Sequence, residues 1–119
     1  MNKNVIVLFE VTVRDGKMDD YLARASKLKE HLKDMKGFIS AERFSSLANE
    51  GKLLSMSVWE NEDVVKEWRN FEAHRESQQA GRMEDFVDYK ITVVTPIRTY
   101  TMDSRENAPV DSNDYFKVN

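Results

Sequence analysis

The sequence contains no cysteine, and this absence excludes disulfide bonds, cysteine nucleophiles and thiolate metal sites. It contains only two histidines, His31 and His74, which lie so far apart along the chain that we predict no metal site. None of the four glycines belongs to a glycine-rich phosphate-binding motif, so nothing supports a bound nucleotide, flavin or nicotinamide. The sequence therefore predicts a protein without a resident cofactor.

Long apolar runs and excess positive charge are also missing. No segment approaches the roughly 20 apolar residues of a membrane-spanning helix, and no signal-peptide pattern precedes the first predicted strand. The net charge of -3, from 18 cations and 21 anions, argues against a nucleic-acid or anionic-membrane surface. We expect a cytoplasmic protein with neither nucleic acid nor membrane as a partner.

The clearest pattern in the chain is a change from strand to helix between residues 52 and 81. Residues 52–60 alternate, with Leu54, Met56 and Val58 on one face and Leu53, Ser55, Ser57 and Trp59 on the other. Asn61 fits a helix N-cap. An apolar stripe then recurs at steps of three and four residues, which predicts an amphipathic helix that ends near Gly81.

The remaining patterns predict an α+β domain over residues 1–102. Strands are expected at residues 5–13, 38–47, 52–60 and 87–102, and helices at residues 18–36 and 61–81, with a possible extra helical turn at residues 82–86. The order β-α-β-β-α-β is that of the ferredoxin-like fold, with an antiparallel sheet in which strands two and four form the edges. Pro96 predicts an edge position or a bend in the last strand. Residues 103–119 form a polar tail, predicted to be flexible or to act as an arm on a partner.

Both faces of the first strand are apolar in their middle, which has a consequence for assembly. Val7 and Phe9 lie on one face, while Ile6 and Leu8 lie on the other. Two helices can cover only one face of the sheet, and the second face would leave an apolar patch larger than monomers usually expose. We therefore predict a homodimer in which two sheets pack face to face.

The chain resembles the antibiotic biosynthesis monooxygenase family of dimeric α/β-barrel proteins. The resemblance lies in VTVRDGK, MKGFISAERF and LLSMSVWENEDVVKEWRNFEAHRESQQAGR, and it extends over about residues 4–102. It implies a site in the cavity between the helices and the sheet of each subunit, with a small aromatic or apolar ligand. It also implies cofactor-independent oxygenation, in which a base deprotonates an electron-rich compound and the anion passes an electron to O2.

Within that implied site, His74 is the predicted base, because the unperturbed pKa of histidine lies near 6.5. Arg75 is predicted to stabilise a developing oxyanion. The predicted substrate-binding residues are Phe9, Met56, Trp68, Phe71 and Tyr89. Each of these residues also has a purely structural interpretation, since aromatic residues at helical spacing usually pack a core and an isolated histidine beside acidic residues is commonly solvated.

Two alternatives to the monooxygenase remain open. One is a non-catalytic dimeric module that binds a small ligand or only assembles. The other is a haem-degrading oxygenase, because relatives of that kind use a tryptophan on the second helix, which Trp68 matches. Those relatives also use a strand-one asparagine and an iron-ligating histidine, whose positions here carry Phe9 and Gln78.

Overall fold

The computed structural model describes the backbone of residues 4–78 and 82–116 and the side chains of residues 4–71 and 84–113. The elements are β1 (Val5–Val13), α1 (Met18–Leu32), β2 (Phe38–Ser45), β3 (Lys52–Trp59), α2 (Glu62–Gln78), a 3₁₀ turn (Arg82–Asp85), β4 (Phe86–Val94) and α3 (Val110–Phe116). The strands and α-helices from β1 to β4 reproduce the predicted β-α-β-β-α-β order, with the 3₁₀ turn between α2 and β4, and the predicted α+β ferredoxin-like fold is confirmed.

The four strands form one antiparallel sheet in the order β2-β3-β1-β4. β1 pairs with β3 on one side and with β4 on the other, so strands two and four lie at the edges as predicted. The register sets the two faces of the sheet, because residues that face each other across neighbouring strands lie on the same side. Val7 and Phe9 therefore share the helix-covered face with Ser57 and Ser55.

Two helices cover this face and bury a core in two separate clusters. The first contains Val11, Val13, Tyr21, Leu53 and Phe86, beneath the start of α1. The second contains Val5, Trp59 and Val65, where α2 meets the opposite end of the sheet. Trp59 is only 1% exposed and packs with Val65, so it belongs to the core where β3 meets α2.

Local signals fix where the helices begin and end. The Asn61 side-chain oxygen accepts a hydrogen bond from the Val64 backbone N–H at 3.0 Å, so Asn61 caps α2 as predicted. α1 ends at Leu32 rather than near residue 36, and a turn leads to Gly37, whose φ of 90° only glycine adopts readily. A side chain at position 37 would collide with Val64, which is how the end of this turn packs against α2.

The last strand is shorter than the sequence pattern predicted. β4 ends at Val94 rather than near residue 102, because Pro96 has no N–H to donate to a ladder. β2 likewise ends at Ser45 rather than at residue 47.

The tail contains a helix that the sequence pattern did not predict. α3 begins directly after Pro109, and Arg105 donates hydrogen bonds to the side chains of Asn113 and Ser112, both at 3.0 Å. The Arg105 guanidinium also lies 4.8 Å from the ring centroid of Tyr100. These contacts connect the start of the tail to α3 and to Tyr100; the role of the tail as an arm on a partner stays a prediction.

Candidate functional site

A cavity of about 300 Å³ lies between the sheet and the two covering helices. It separates the two core clusters. It exists because the residues at the centre of this face are small, and Ala41, Ser55 and Ser57 leave volume that larger side chains would fill. This volume is at the lower limit of the range of about 300–1,000 Å³ typical of small-molecule sites.

Two rows of residues across the sheet form the cavity floor. In strand order from β4 to β2, the first row is Ile91, Phe9, Ser55 and Arg43, and the second is Val93, Val7, Ser57 and Ala41. The floor is thus apolar on β4 and β1, carries hydroxyl groups on β3, and bears a guanidinium on the first row at β2.

The roof comes from the inward faces of both helices. Tyr21, Ala25, Leu28 and Leu32 recur at steps of three and four residues along α1, and Val65 and Trp68 do so on α2. Helical periodicity therefore aims one apolar stripe of each helix into the cavity.

Aromatic rings line the cavity at both ends. At one end Trp68 lies between Trp59 and Phe71, at centroid distances of 6.2 and 5.4 Å. At the other end the Phe9 ring contacts Phe86 at 6.0 Å and Tyr89 at 5.8 Å. Such contacts hold the rings in fixed orientations and present flat apolar surfaces to a ligand.

The polar groups of the cavity are few. The Ser57 hydroxyl accepts a hydrogen bond from Trp59 Nε1 at 2.8 Å, and its own O–H donates to no described residue and can donate to a ligand. The Ser55 hydroxyl has no hydrogen-bond partner among the described residues. Two hydroxyl groups in the middle of an apolar floor are suited to orienting a carbonyl or hydroxyl group of a ligand.

The charged lining is cationic. Lys29 of α1, Arg43 of β2 and Arg69 of α2 all line the cavity, and none forms an ion pair with a described residue. Glu42 also contributes to the lining, but its register partner is Met56, so its carboxylate points to the other face of the sheet.

The predicted substrate-binding residues are partly brought together. Phe9, Trp68 and Tyr89 line the cavity. Phe71 is not in the lining; it stacks on Trp68 and lies 5.2 Å from the His31 ring, which places His31 against α2 rather than in the cavity. Their binding roles stay predictions.

Met56 lies on the wrong side of the sheet for the predicted role. Its register partner is Leu8, on the face that the helices do not cover, so it cannot line the cavity. The alternation of β3 already placed Met56 on the face opposite Trp59. Met56 was predicted to bind the substrate because it is apolar, although this alternation placed it on the other face of the sheet.

His74 and Arg75 belong to the backbone of α2, but their side chains lie outside the described residues. Their predicted roles as base and oxyanion partner are therefore untested. Within residues 4–71 and 84–113, no group of three or more His, Asp or Glu side chains is placed to hold a metal ion.

Four residues of the cavity lining were not predicted as site residues: Lys29, Arg43, Ser55 and Ser57. A signal for the serines was present, because two small polar residues on the inward face of a central strand, between Leu53 and Trp59, leave a gap in the core. Arg43 follows from β2 register, which the sequence does not reveal.

The described elements define an α+β sandwich of one antiparallel sheet and two helices, with a ligand-sized cavity between the layers. The sequence model of the antibiotic biosynthesis monooxygenase family matches residues 4–80. The chain therefore belongs to that family.

One curated relative is the jasmonate monooxygenase ABM of Pyricularia oryzae, which is 34% identical over 113 residues. That match covers 87% of this chain and 53% of the relative, so the chain spans about half of the relative's length.

Solved structures share the fold at low sequence identity. SnoaB of Streptomyces nogalater, described as a cofactor-independent oxygenase, superposes with a TM-score of 0.68 at 12% identity, over 82% of this chain and 96% of that one. Rv0793 of Mycobacterium tuberculosis superposes with a TM-score of 0.70 at 17% identity, over 82% of this chain and 99% of that one. Among the described residues, no helix is long and apolar enough to cross a membrane.

Proposed function

We propose that this chain is a monooxygenase that oxidises a small, largely apolar molecule in the cavity between its helices and sheet. The observation that carries the proposal is the cavity itself: about 300 Å³, walled by aromatic rings and furnished with two hydroxyl groups. Family membership and the 34% identical monooxygenase support the reaction class.

We further propose that the reaction needs no resident cofactor, as is the case for the cofactor-independent oxygenase SnoaB. In such a reaction the substrate is the only reductant and gives four electrons to O2: a base removes a proton, the carbanion or phenolate reduces O2, one oxygen atom enters the product as a carbonyl oxygen in place of two hydrogens, and the other leaves with those hydrogens as water. The protein contributes an apolar site that excludes bulk water and a group that accepts the proton. His74 is the proposed base and Arg75 the proposed oxyanion partner.

The proposed substrate is aromatic or quinol-like, since such a compound yields a stabilised anion. The name of the Pyricularia oryzae relative adds a jasmonate-like compound as a second candidate. Oxygen uptake with a panel of reduced quinones and jasmonate tests both classes.

The decisive comparison uses the two histidines. His74→Ala should abolish oxygen uptake with little loss of substrate binding, whereas His31→Ala, in which a half-buried ring beside Phe71 is removed, should retain most of it. Equal turnover in wild type and His74→Ala would refute the proposed base. Substrate binding without oxygen uptake in the wild type would instead favour a non-catalytic binding module.

Haem degradation is a second candidate, favoured by the presence of Trp68 in the cavity roof. Phe9 argues against it, because its ring packs on Phe86 and Tyr89 and offers no hydrogen bond where the haem-degrading relatives use an asparagine. Titration with haem tests this candidate: a shifted Soret band would support haem binding, and an unshifted band would exclude haem degradation.

We also propose a cytoplasmic homodimer that forms through the face of the sheet that the helices leave uncovered. Ile6 and Leu8 of β1 lie on this face beside Met56 and Val58 of β3, and Phe44 of β2 extends it with 41% of its surface exposed. Apolar side chains on adjacent strands form a patch of the kind that marks an interface. Sedimentation at micromolar concentration tests this proposal, and a monomer would refute it.

A further inference from the structure

The charges around the cavity run against the charge of the chain. The whole chain is acidic, with a net charge of -3, yet three of the four charged lining residues are cations. The fourth, Glu42, directs its carboxylate to the opposite face of the sheet. Three cations from three different elements thus border one apolar cavity, and none of them forms an ion pair with a described residue, while the Arg43 guanidinium lies 6.0 Å from the ring centroid of Tyr21.

The position of Arg43 gives this charge a direction. Arg43 lies opposite Ser55 on the inward side of β2, and Ser55 lies opposite Phe9, so guanidinium, hydroxyl and aromatic ring follow one another across three strands. Neighbouring strands are about 4.8 Å apart, so Arg43 and Phe9 begin roughly 10 Å from each other. The floor therefore matches a ligand that is apolar at one end and polar at the other.

From this arrangement we infer that the cavity takes an amphipathic acid: an apolar body over Phe9 and β4, and one anionic group against Arg43. The inference rests on the proposed function, whose substrate class it narrows. A guanidinium binds a carboxylate or sulfonate through two parallel hydrogen bonds, and Ser55 adds a third donor. Lys29 and Arg69 raise the local positive potential, which an apolar wall strengthens relative to water.

A pair of fluorescent probes separates charge from shape. 8-Anilinonaphthalene-1-sulfonate is anionic, whereas N-phenyl-1-naphthylamine has the same ring system without the sulfonate, and both brighten in apolar sites. The wild type should bind the sulfonate more tightly, and energy transfer from Trp59 and Trp68, which both line the cavity, should accompany binding.

Arg43→Gln should weaken sulfonate binding about tenfold, the usual effect of losing a hydrogen bond to a charged group. Binding of the neutral probe should change less than about twofold. Arg98→Gln is the matched control, since it removes the same charge from an exposed residue outside the lining. Sulfonate affinity should also fall with added salt, while that of the neutral probe should not.

Several results would overturn the inference. These are a wild type that does not bind the sulfonate, equal loss of both probes in Arg43→Gln, and an unchanged sulfonate affinity in a variant with Lys29, Arg43 and Arg69 all replaced by glutamine. The binding assay needs no turnover. If the protein prefers the anionic probe but takes up no oxygen, the proposed reaction is refuted and the proposed acid-binding site stands. If it takes up oxygen but shows no preference for the anionic probe, the acid-binding site is refuted and the proposed reaction stands.

Discussion

Replacing Ser55 by isoleucine fills the middle of the cavity floor and should separate stability from function. The substitution puts three carbons where one hydroxyl oxygen was, in a central strand that favours β-branched residues. The Ser55 hydroxyl has no hydrogen-bond partner among the described residues, so none is lost there. At about 0.8 kcal/mol per buried carbon, full burial would stabilise the fold by roughly 2 kcal/mol, and the open mouth of the cavity reduces this to about 1 kcal/mol.

Urea unfolding measures the stability change, and the naphthylamine probe and oxygen uptake measure the site. We expect Ser55→Ile to unfold at higher urea, with a Tm raised by a few degrees (about 4 °C per kcal/mol), and to lose probe binding and turnover together. A gain of stability with a loss of function is the expected result for a residue kept small for its ligand.

The control is Ser45→Ile, which adds the same atoms to an exposed position of β2 outside the cavity lining and should leave probe binding unchanged. Ser57→Ile is an informative contrast, because it leaves Trp59 Nε1 without its acceptor, at a cost of about 1–3 kcal/mol that offsets the added burial. A Ser55→Ile protein that binds the probe like the wild type, or that loses more than about 1 kcal/mol, would refute the cavity as described.

Three further predictions concern the scaffold. Gly37→Ala should lower the free energy of unfolding in urea by about 2–4 kcal/mol, because the new Cβ would lie 2.6 Å from a methyl group of Val64. Gly16 has a similar positive φ but no atom near its would-be Cβ, so the control Gly16→Ala should lower the free energy of unfolding by only about 1 kcal/mol. Asp85→Ala should lower the free energy of unfolding by about 2–3 kcal/mol, because Asp85 is 1% exposed and its carboxylate binds the Arg24 guanidinium at 2.9 Å. A decrease below about 1 kcal/mol would show that this ion pair contributes little to stability. The Lys90 and Lys52 ammonium groups lie 3.2 and 3.4 Å from the Glu10 carboxylate and lower the pKa of Glu10, so its stabilising contribution is present above pH 4.5 and is lost as the pH falls through the lowered pKa. The Tm difference between the wild type and Glu10→Gln should therefore vanish on acidification, and a difference that stays constant with pH would contradict this prediction.

The fold was predictable from the sequence because its signals are local and agree with one another. The alternation in β1 and β3 gave the faces of the sheet, Asn61 gave the start of α2, and the order of elements left one arrangement of strands. Where such a signal is weak the boundaries moved, as at the end of α1, where a turn takes over at Lys33 while the apolar spacing continues to Met35.

The site was less predictable from the sequence, because a cavity is a volume that side-chain packing leaves empty and no single residue type indicates where it lies. Aromatic residues were chosen as ligand contacts, which succeeded in placing Phe9, Trp68 and Tyr89 in the lining and failed for Met56. Arg43 could be found only once the register of β2 against β3 was known. Site residues that depend on pairing between distant segments need the structure, whereas those that depend on periodicity do not.

β3 has its polar and apolar residues reversed relative to an ordinary half-buried strand, with Ser55 and Ser57 beneath the helices and Met56 on the uncovered face. In a monomer without a ligand, the inner face would lack apolar packing at the serines, and the outer face would expose apolar side chains to water. It is consistent with the proposed ligand on the inner face and the proposed second copy on the outer one. The two functions should then separate: Met56→Lys should give a folded monomer in sedimentation that still binds the neutral probe, since its charge lies on the far side of the sheet. If Met56→Lys remained dimeric, the uncovered face would not be the interface, and loss of probe binding in a folded monomer would mean that the partner copy completes the cavity.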